Sequence, residues 1–82
     1  MPWEAIKRQI LEQAGYSYSF DRMIYVNRNV RKAFSIEYVQ DHDEADLVAH
    51  INEPPPPNGE WHFYFNLGPS EAVKRELSAI LE

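Results

Sequence analysis

A short stretch late in the chain constrains the fold most, because three large aromatic residues alternate there with more polar ones. Trp61, Phe63 and Phe65 share one parity, and His62 and Tyr64 lie between them. A period of two is typical of a β-strand that buries one face. Three exposed aromatic rings on one strand face would favour aggregation, so we expect the tryptophan and the two phenylalanines in the core.

Both ends of the chain show helical spacing instead. Apolar residues recur every three or four positions in residues 2–14, and Gly15 follows as a helix stop signal. A second such stripe follows Ser70 and comprises Val73, Leu77 and Ile80. These patterns predict amphipathic helices that pack against the sheet.

Between these ends the pattern predicts two strands and a third helix. We expect a strand over residues 16–27 with a bulge or turn near Asp21, a hairpin loop at Asn27–Arg31 and a strand at Lys32–Gln40. A helix would begin near Asp41–Asp43, where Asp41 and Glu44 have capping-box spacing, and end near Ile51. Pro54–Pro57 predicts a stiff extended connector.

The predicted order is therefore α-β-β-α-β-α, in a chain of 82 residues. This length allows one domain, residues 1–82, and a hydrophobic share of 44% supplies one modest core. The fold class that these elements predict is α+β. We expect a small two-layer sandwich with a mainly antiparallel, three-stranded sheet packed on helices.

Charge is distributed unevenly along the chain. The formal net charge is −5, yet residues 1–40 carry a balance of +2 and residues 41–82 a balance of −7. The densest basic run lies at the predicted hairpin tip and consists of Arg28, Arg31 and Lys32. Such a tip suits an acidic protein partner or nucleic-acid phosphates, or it keeps the loop solvated. The negative net charge disfavours nucleic acid.

A second candidate surface is the sheet face opposite the predicted core. If helices cover one face only, a mixed aromatic and polar surface stays open, as is common at binding sites. That surface comprises Tyr25, Ser35, Glu37, His62 and Tyr64.

Residues 41–50 form an acidic cluster with two histidines, His42 and His50. Imidazole and carboxylate groups suit a divalent metal such as zinc or manganese, and His62 is a possible further ligand. Aspartates at a helix start more often accept the free backbone N–H groups, so we assign no metal site.

The interpretation that fits best is a small non-catalytic interaction domain. It would bind a protein partner or a second copy through the open sheet face, with the basic tip pairing acids on the partner's rim. A nucleic-acid accessory protein that uses the hairpin and a metal-dependent enzyme that uses residues 41–50 are the alternatives. We expect no cofactor and no membrane insertion. Without cysteine or a secretory signal, the chain is expected in the cytoplasm.

Overall fold

The computed structural model describes residues 2–82, with side chains from residue 5 onward, so the predicted core residue Trp3 lies outside the described side chains. It contains four α-helices and four strands. In chain order these are α1 (Pro2–Gln13), β1 (Ser17–Ser19), β2 (Ile24–Asn27), β3 (Lys32–Ser35), α2 (Ile36–Asp41), α3 (Glu44–Asn52), β4 (His62–Tyr64) and α4 (Glu71–Leu81). No helix within residues 2–82 has both the length and the apolar character needed to cross a membrane.

The α+β class is confirmed, but the predicted three strands are four. The first predicted strand is divided by a turn over residues 20–23, near the suspected break at Asp21. The second ends at Ser35, because the Ser35 hydroxyl accepts a hydrogen bond from the Tyr38 N–H at 3.1 Å and begins α2. Assigning residues 36–40 to a strand was therefore wrong.

The four strands lie in the order β1-β2-β3-β4. β2 is antiparallel to both β1 and β3, whereas β3 and β4 are parallel. Because α2 and α3 lie between β3 and β4 in the chain, they supply the long connection that a parallel pair requires. The observed order is α-β-β-β-α-α-β-α rather than the predicted α-β-β-α-β-α.

Helices cover both faces of this sheet. On the first face, α1, α2 and α3 contribute Leu11, Val39 and Leu47 to a core around Phe34. On the second face, Leu77 and Leu81 of α4 pack against the strands. Side chains on both faces of β2 and β3 are consequently buried. The alternation in the sequence, from which one polar face was expected, does not indicate this.

Helix ends follow local sequence signals. Gly15 has a φ of 97°, in the left-handed region, and the Tyr16 N–H donates to the Leu11 carbonyl at 2.9 Å. Asp43, not the predicted Asp41, caps α3 by accepting from the Asp46 N–H at 2.8 Å. Ser70 caps α4 in the same way.

Candidate interaction surface

The topology creates two opposite ends of the sheet, and the predicted basic tip lies at one of them. β2 and β3 are joined there by residues 28–31, and β4 begins there because it runs parallel to β3. α3 and α4 both end near this turn, as contacts from Lys32 and Arg28 show. We call this region the hairpin end.

Lys32 is buried at the hairpin end, with 1% of its surface exposed. Its Nζ donates to the carbonyl oxygens of His50, Ile51 and Glu53, at 2.7, 3.2 and 2.7 Å. These are carbonyls at the C-terminus of α3, where the helix dipole favours a cation. Burial lowers the pKa of Lys32, while the Glu53 carboxylate opposes that shift. Predicting Lys32 as a surface contact was wrong, because its side chain is buried and its ammonium group donates to the carbonyls at the end of α3.

The two arginines of the hairpin end also bond within the chain. The Arg28 Nε donates to the Leu81 carbonyl at 2.6 Å, at the C-terminus of α4. The Arg31 Nε lies 2.9 Å from a Glu82 carboxylate oxygen, and this ion pair lowers the pKa of Glu82. Both arginines retain accessible surface, so partner binding through them stays a prediction.

A buried cation also meets the C-terminus of α2, and the sequence pattern did not predict this contact. Lys7 of α1 is buried, and its Nζ donates to the carbonyl oxygens of Val39 and His42 at the end of α2. Neither α2 nor α4 has a basic residue in its own last turn. Cations from other elements thus stabilise the C-termini of α2, α3 and α4.

The predicted open sheet face is covered by α1, α2 and α3. Tyr25 and Tyr64 lie on one face, as the parity predicted, but both are buried in the core around Phe34. Ser35 caps α2, and Glu37 is exposed on that helix. The expectation that this face is open was wrong, because the chain between β3 and β4 folds back over it as α2 and α3.

All three histidines of the chain lie against two tyrosines beside this core. His42 stacks on Tyr38 with ring centroids 3.8 Å apart, and His62 stacks on Tyr64 at 4.2 Å. His50 contacts both tyrosine rings. Among the described side chains, residues 5–82, no three histidine or carboxylate groups are placed to hold a metal ion.

Glu53, directly after α3, contacts two of these histidine and tyrosine side chains. The Tyr64 hydroxyl donates to its carboxylate at 2.5 Å, and the His50 Nδ1 lies 3.3 Å away. The hydrogen bond from Tyr64, followed by that from His50, lowers the pKa of Glu53. Burial is the main cause that raises the pKa of Tyr64 and lowers that of His62. The contacts of Glu53 with Tyr64 and His50 thus connect β4 to the end of α3.

The other end of the sheet carries exposed apolar side chains. The turn between β1 and β2, the start of α2 and the loop after β4 meet there. Leu67 is 85% exposed, Phe20 84% and Met23 57%. We call this region the apolar end. This end was not predicted, because Leu67 belongs to no periodic pattern and Phe20 falls within the strand predicted over residues 16–27.

The larger hollow of the apolar end is an aromatic cleft of about 670 Å³. Its rings form a row in which Phe20 packs edge-on against Tyr18, with centroids 5.0 Å apart, and Tyr18 lies 4.9 Å from Tyr25. Two charged residues of α1, Arg8 and Glu12, also line the cleft. The lining also includes Tyr16, Ser17, Ile36 and Val39.

A smaller hollow of about 260 Å³ adjoins the cleft. Met23, Phe65 and Leu67 line it, and Ile36 lines both hollows. Met23 has a φ of 55°, which is unfavourable for a residue other than glycine. Its carbonyl accepts a hydrogen bond from the Ile36 N–H at 3.0 Å, which fixes the turn against α2.

Comparison of the chain with protein-family models, with curated proteins and with solved structures gave no match.

Proposed function

We propose that this chain is a small, non-catalytic protein-interaction domain that binds an amphipathic helix of a partner protein at its apolar end. The observation that carries the proposal is the exposure of Phe20 and Leu67 beside two hollows that meet at Ile36. We further propose that it acts in the cytoplasm. Disulfides rarely persist there, and a chain without cysteine does not depend on them.

Exposed apolar groups that are contiguous are the usual mark of a protein interface. Here the aromatic cleft and the smaller hollow supply the apolar centre of the patch. Arg8, Arg22, Glu12 and Glu37 line the same hollows. Two positive and two negative groups at the rim give no preference for a strongly charged partner, and they resemble the polar rim of an ordinary interface.

A helix suits the two hollows better than a flat surface does. A helix projects side chains at i and i+3 or i+4 from one face, and helix-binding grooves receive them in adjacent hollows. The aromatic cleft has room for a large ring, and the smaller hollow for an aliphatic side chain. A second copy of the chain is a poorer occupant, because each copy carries a net charge of −5.

The test is a selection from a displayed library of helical peptides, using the immobilised full chain as bait. We expect enrichment of peptides with one aromatic and one aliphatic residue spaced three or four positions apart. Binding of the selected peptides should weaken at least about tenfold in Leu67→Asp, because a charge would enter an apolar contact. Ile80→Asp, which alters an exposed apolar residue of α4, serves as the matched control.

Two results would contradict the proposal. One is a library without enrichment. The other is equal binding by the wild type and Leu67→Asp, with circular dichroism showing that both fold. A parallel pull-down with and without nuclease tests the alternative: a nuclease-sensitive signal that survives Leu67→Asp and is lost in Arg28→Ala/Arg31→Ala would indicate nucleic-acid binding at the hairpin end.

A further inference from the structure

Four consecutive prolines, Pro54–Pro57, connect α3 to β4, and we call them the proline segment. Each residue from Glu53 to Pro56 precedes a proline, which disfavours the helical conformation at that residue. The φ and ψ angles are −62° and 144° at Glu53, and −59° and 146° at Pro56. These angles are those of a polyproline II helix. None of the four prolines lines the two hollows of the apolar end, so the proposed helix binding leaves this segment unused.

The proline segment presents most of its rings to solvent. Pro54, Pro55 and Pro57 are exposed, whereas Pro56 is half-buried and lines a hollow together with Trp61. A polyproline II helix has about three residues per turn, so Pro54 and Pro57 lie along one edge and Pro55 along a second. Pro56 occupies the third edge, which faces the domain. Two of the three edges are therefore accessible to a partner.

Both ends of the proline segment are fixed to the fold. Before it, the Glu53 carbonyl accepts a hydrogen bond from the buried Nζ of Lys32 at 2.7 Å. At its other end, a 3₁₀ turn over Pro57–Gly59 follows, and the Glu60 N–H donates to the Pro57 carbonyl at 3.3 Å. A segment that is already stiff and held at both ends loses little conformational freedom on binding.

We propose that the proline segment binds a second protein partner, a domain with an aromatic-lined groove whose rim is basic. Aromatic-lined grooves receive proline-rich segments because a polyproline II helix is preformed and carries little conformational entropy to lose. This inference goes beyond the proposed function, since it concerns another surface and another kind of partner. Pro54 and Pro57 have the P-x-x-P spacing that such grooves recognise.

The charges beside the proline segment favour a basic rim. Residues 52–60 contain two acidic residues, Glu53 and Glu60, and no lysine or arginine. Both glutamates are exposed. Lys74 lines a hollow with Glu60 but faces Glu71 at 3.5 Å, so it does not neutralise this surface. Opposite charges at an interface rim guide association, and like charges disfavour it, so a groove with an acidic rim is a poor partner.

The experiment titrates the full chain against a panel of immobilised SH3, WW and EVH1 domains whose groove rims range from acidic to basic. We expect saturable binding by domains with a basic rim and weaker binding as the rim becomes acidic. Binding should weaken at least about fivefold in Pro54→Ala/Pro57→Ala, a loss typical of residues at the centre of an interface. Glu60→Lys should also weaken it, because it places a like charge at the basic rim.

Pro69→Ala and Glu76→Lys are the matched controls, since they make the same chemical changes outside the proline segment and should retain binding. Circular dichroism verifies that each variant is folded. No saturable binding by any domain of the panel, a preference for acidic rims, or equal binding by the wild type and Pro54→Ala/Pro57→Ala would overturn the inference. Leu67→Asp should bind the panel like the wild type, so this test is independent of helix binding at the apolar end.

Discussion

The two ends of the sheet use their side chains in opposite ways. At the hairpin end, charged groups that look available in the sequence are bonded within the chain, with Lys32 and Arg28 donating to the last carbonyls of α3 and α4. At the apolar end, side chains that would be expected in a core are exposed, with Phe20 and Leu67 more than four-fifths accessible. Polarity alone therefore does not distinguish structural from functional residues here.

The difference has a physical origin in helix direction. α3 and α4 both bring their C-termini to the hairpin end, and several carbonyl groups there have no partner within their own helix. Arg28 of the β2–β3 turn and Lys32 at the start of β3 donate to carbonyls there and offset the negative helix ends. At the apolar end Phe20 and Leu67 are largely exposed, so we expect them to contribute little to the stability of the fold. We expect substitutions at the two ends to separate stability from binding.

Replacing Lys32 should give the largest loss of stability. Lys32→Met keeps the length of the side chain but removes three hydrogen bonds from a buried ammonium group. Because hydrogen bonds from charged groups are worth about 1.5–3 kcal/mol each and are not additive, we expect the free energy of unfolding to fall by about 3 kcal/mol. Urea denaturation followed by tryptophan fluorescence measures this change.

Lys74→Met is the control for Lys32→Met. Lys74 lies in α4 and faces Glu71 at 3.5 Å, in an ion pair with 43% and 80% of the two side chains exposed. Such pairs contribute little, so the control should change the free energy of unfolding by less than about 0.5 kcal/mol. Equal effects of the two substitutions would show that Lys32 has no special role at the end of α3.

Arg28 should matter less, because it makes one hydrogen bond to its helix end and is exposed. We expect Arg28→Ala to lower the free energy of unfolding by about 1 kcal/mol, within the range for a cation at a helix C-terminus. Arg22→Ala, at the apolar end, provides the comparison and should have almost no effect. A loss in Arg22→Ala as large as in Arg28→Ala would remove the contrast between the two ends.

Acid should weaken the hairpin end through Glu53. Its pKa in the folded state lies below the ordinary value of a glutamate, chiefly because Tyr64 donates a hydrogen bond to the carboxylate. A lowered carboxyl pKa stabilises the fold above the unfolded pKa, and this contribution is lost as the pH falls through the folded pKa. The urea midpoint of the wild type should therefore drop between pH 7 and pH 3.

Glu53→Gln should show a smaller drop than the wild type over the same pH range. Glu37→Gln, an exposed carboxylate at the apolar end, should behave like the wild type. The expected difference is modest because the Glu53 side chain is 47% exposed and solvent screens its interactions. Identical pH profiles for all three proteins would exclude Glu53 as the linked group.

The sequence predicted elements better than it predicted exposure. The helix stop at Gly15 depends on local backbone chemistry and is confirmed, as is a helix that follows Ser70. The alternation in β4 correctly placed Tyr64 on the opposite face from Phe63, but it could not show that helices cover both faces. Whether a face is covered depends on the path of the chain between β3 and β4, which no local pattern records.

The same limit explains the basic tip. Arg28, Arg31 and Lys32 are adjacent in sequence to each other, but their partners lie 18 to 53 residues away along the chain. From sequence alone, a cluster of cations indicates a contact surface, because the helix ends that the cations contact are known only from the structure. Leu67 is a single apolar residue in a loop and belongs to no periodic pattern. Phe20 falls within the strand predicted over residues 16–27, which the turn over residues 20–23 interrupts.

The smallest expected effect on stability is at the apolar end. Phe20→Ser and Leu67→Ser should each change the free energy of unfolding by less than about 0.5 kcal/mol, because little apolar surface is buried there to begin with. The same variants should lose most of the binding of the selected helical peptides. Measured together, urea denaturation and peptide titration thus test whether the apolar end serves binding rather than folding.

A destabilisation above about 1 kcal/mol in either variant would assign that side chain to the core and contradict this division. The opposite pattern is expected for Lys32→Met, in which the fold weakens while peptide binding per folded molecule is retained. Only if both patterns hold does the contrast between the two ends stand, because each end then affects the property that the other leaves unchanged.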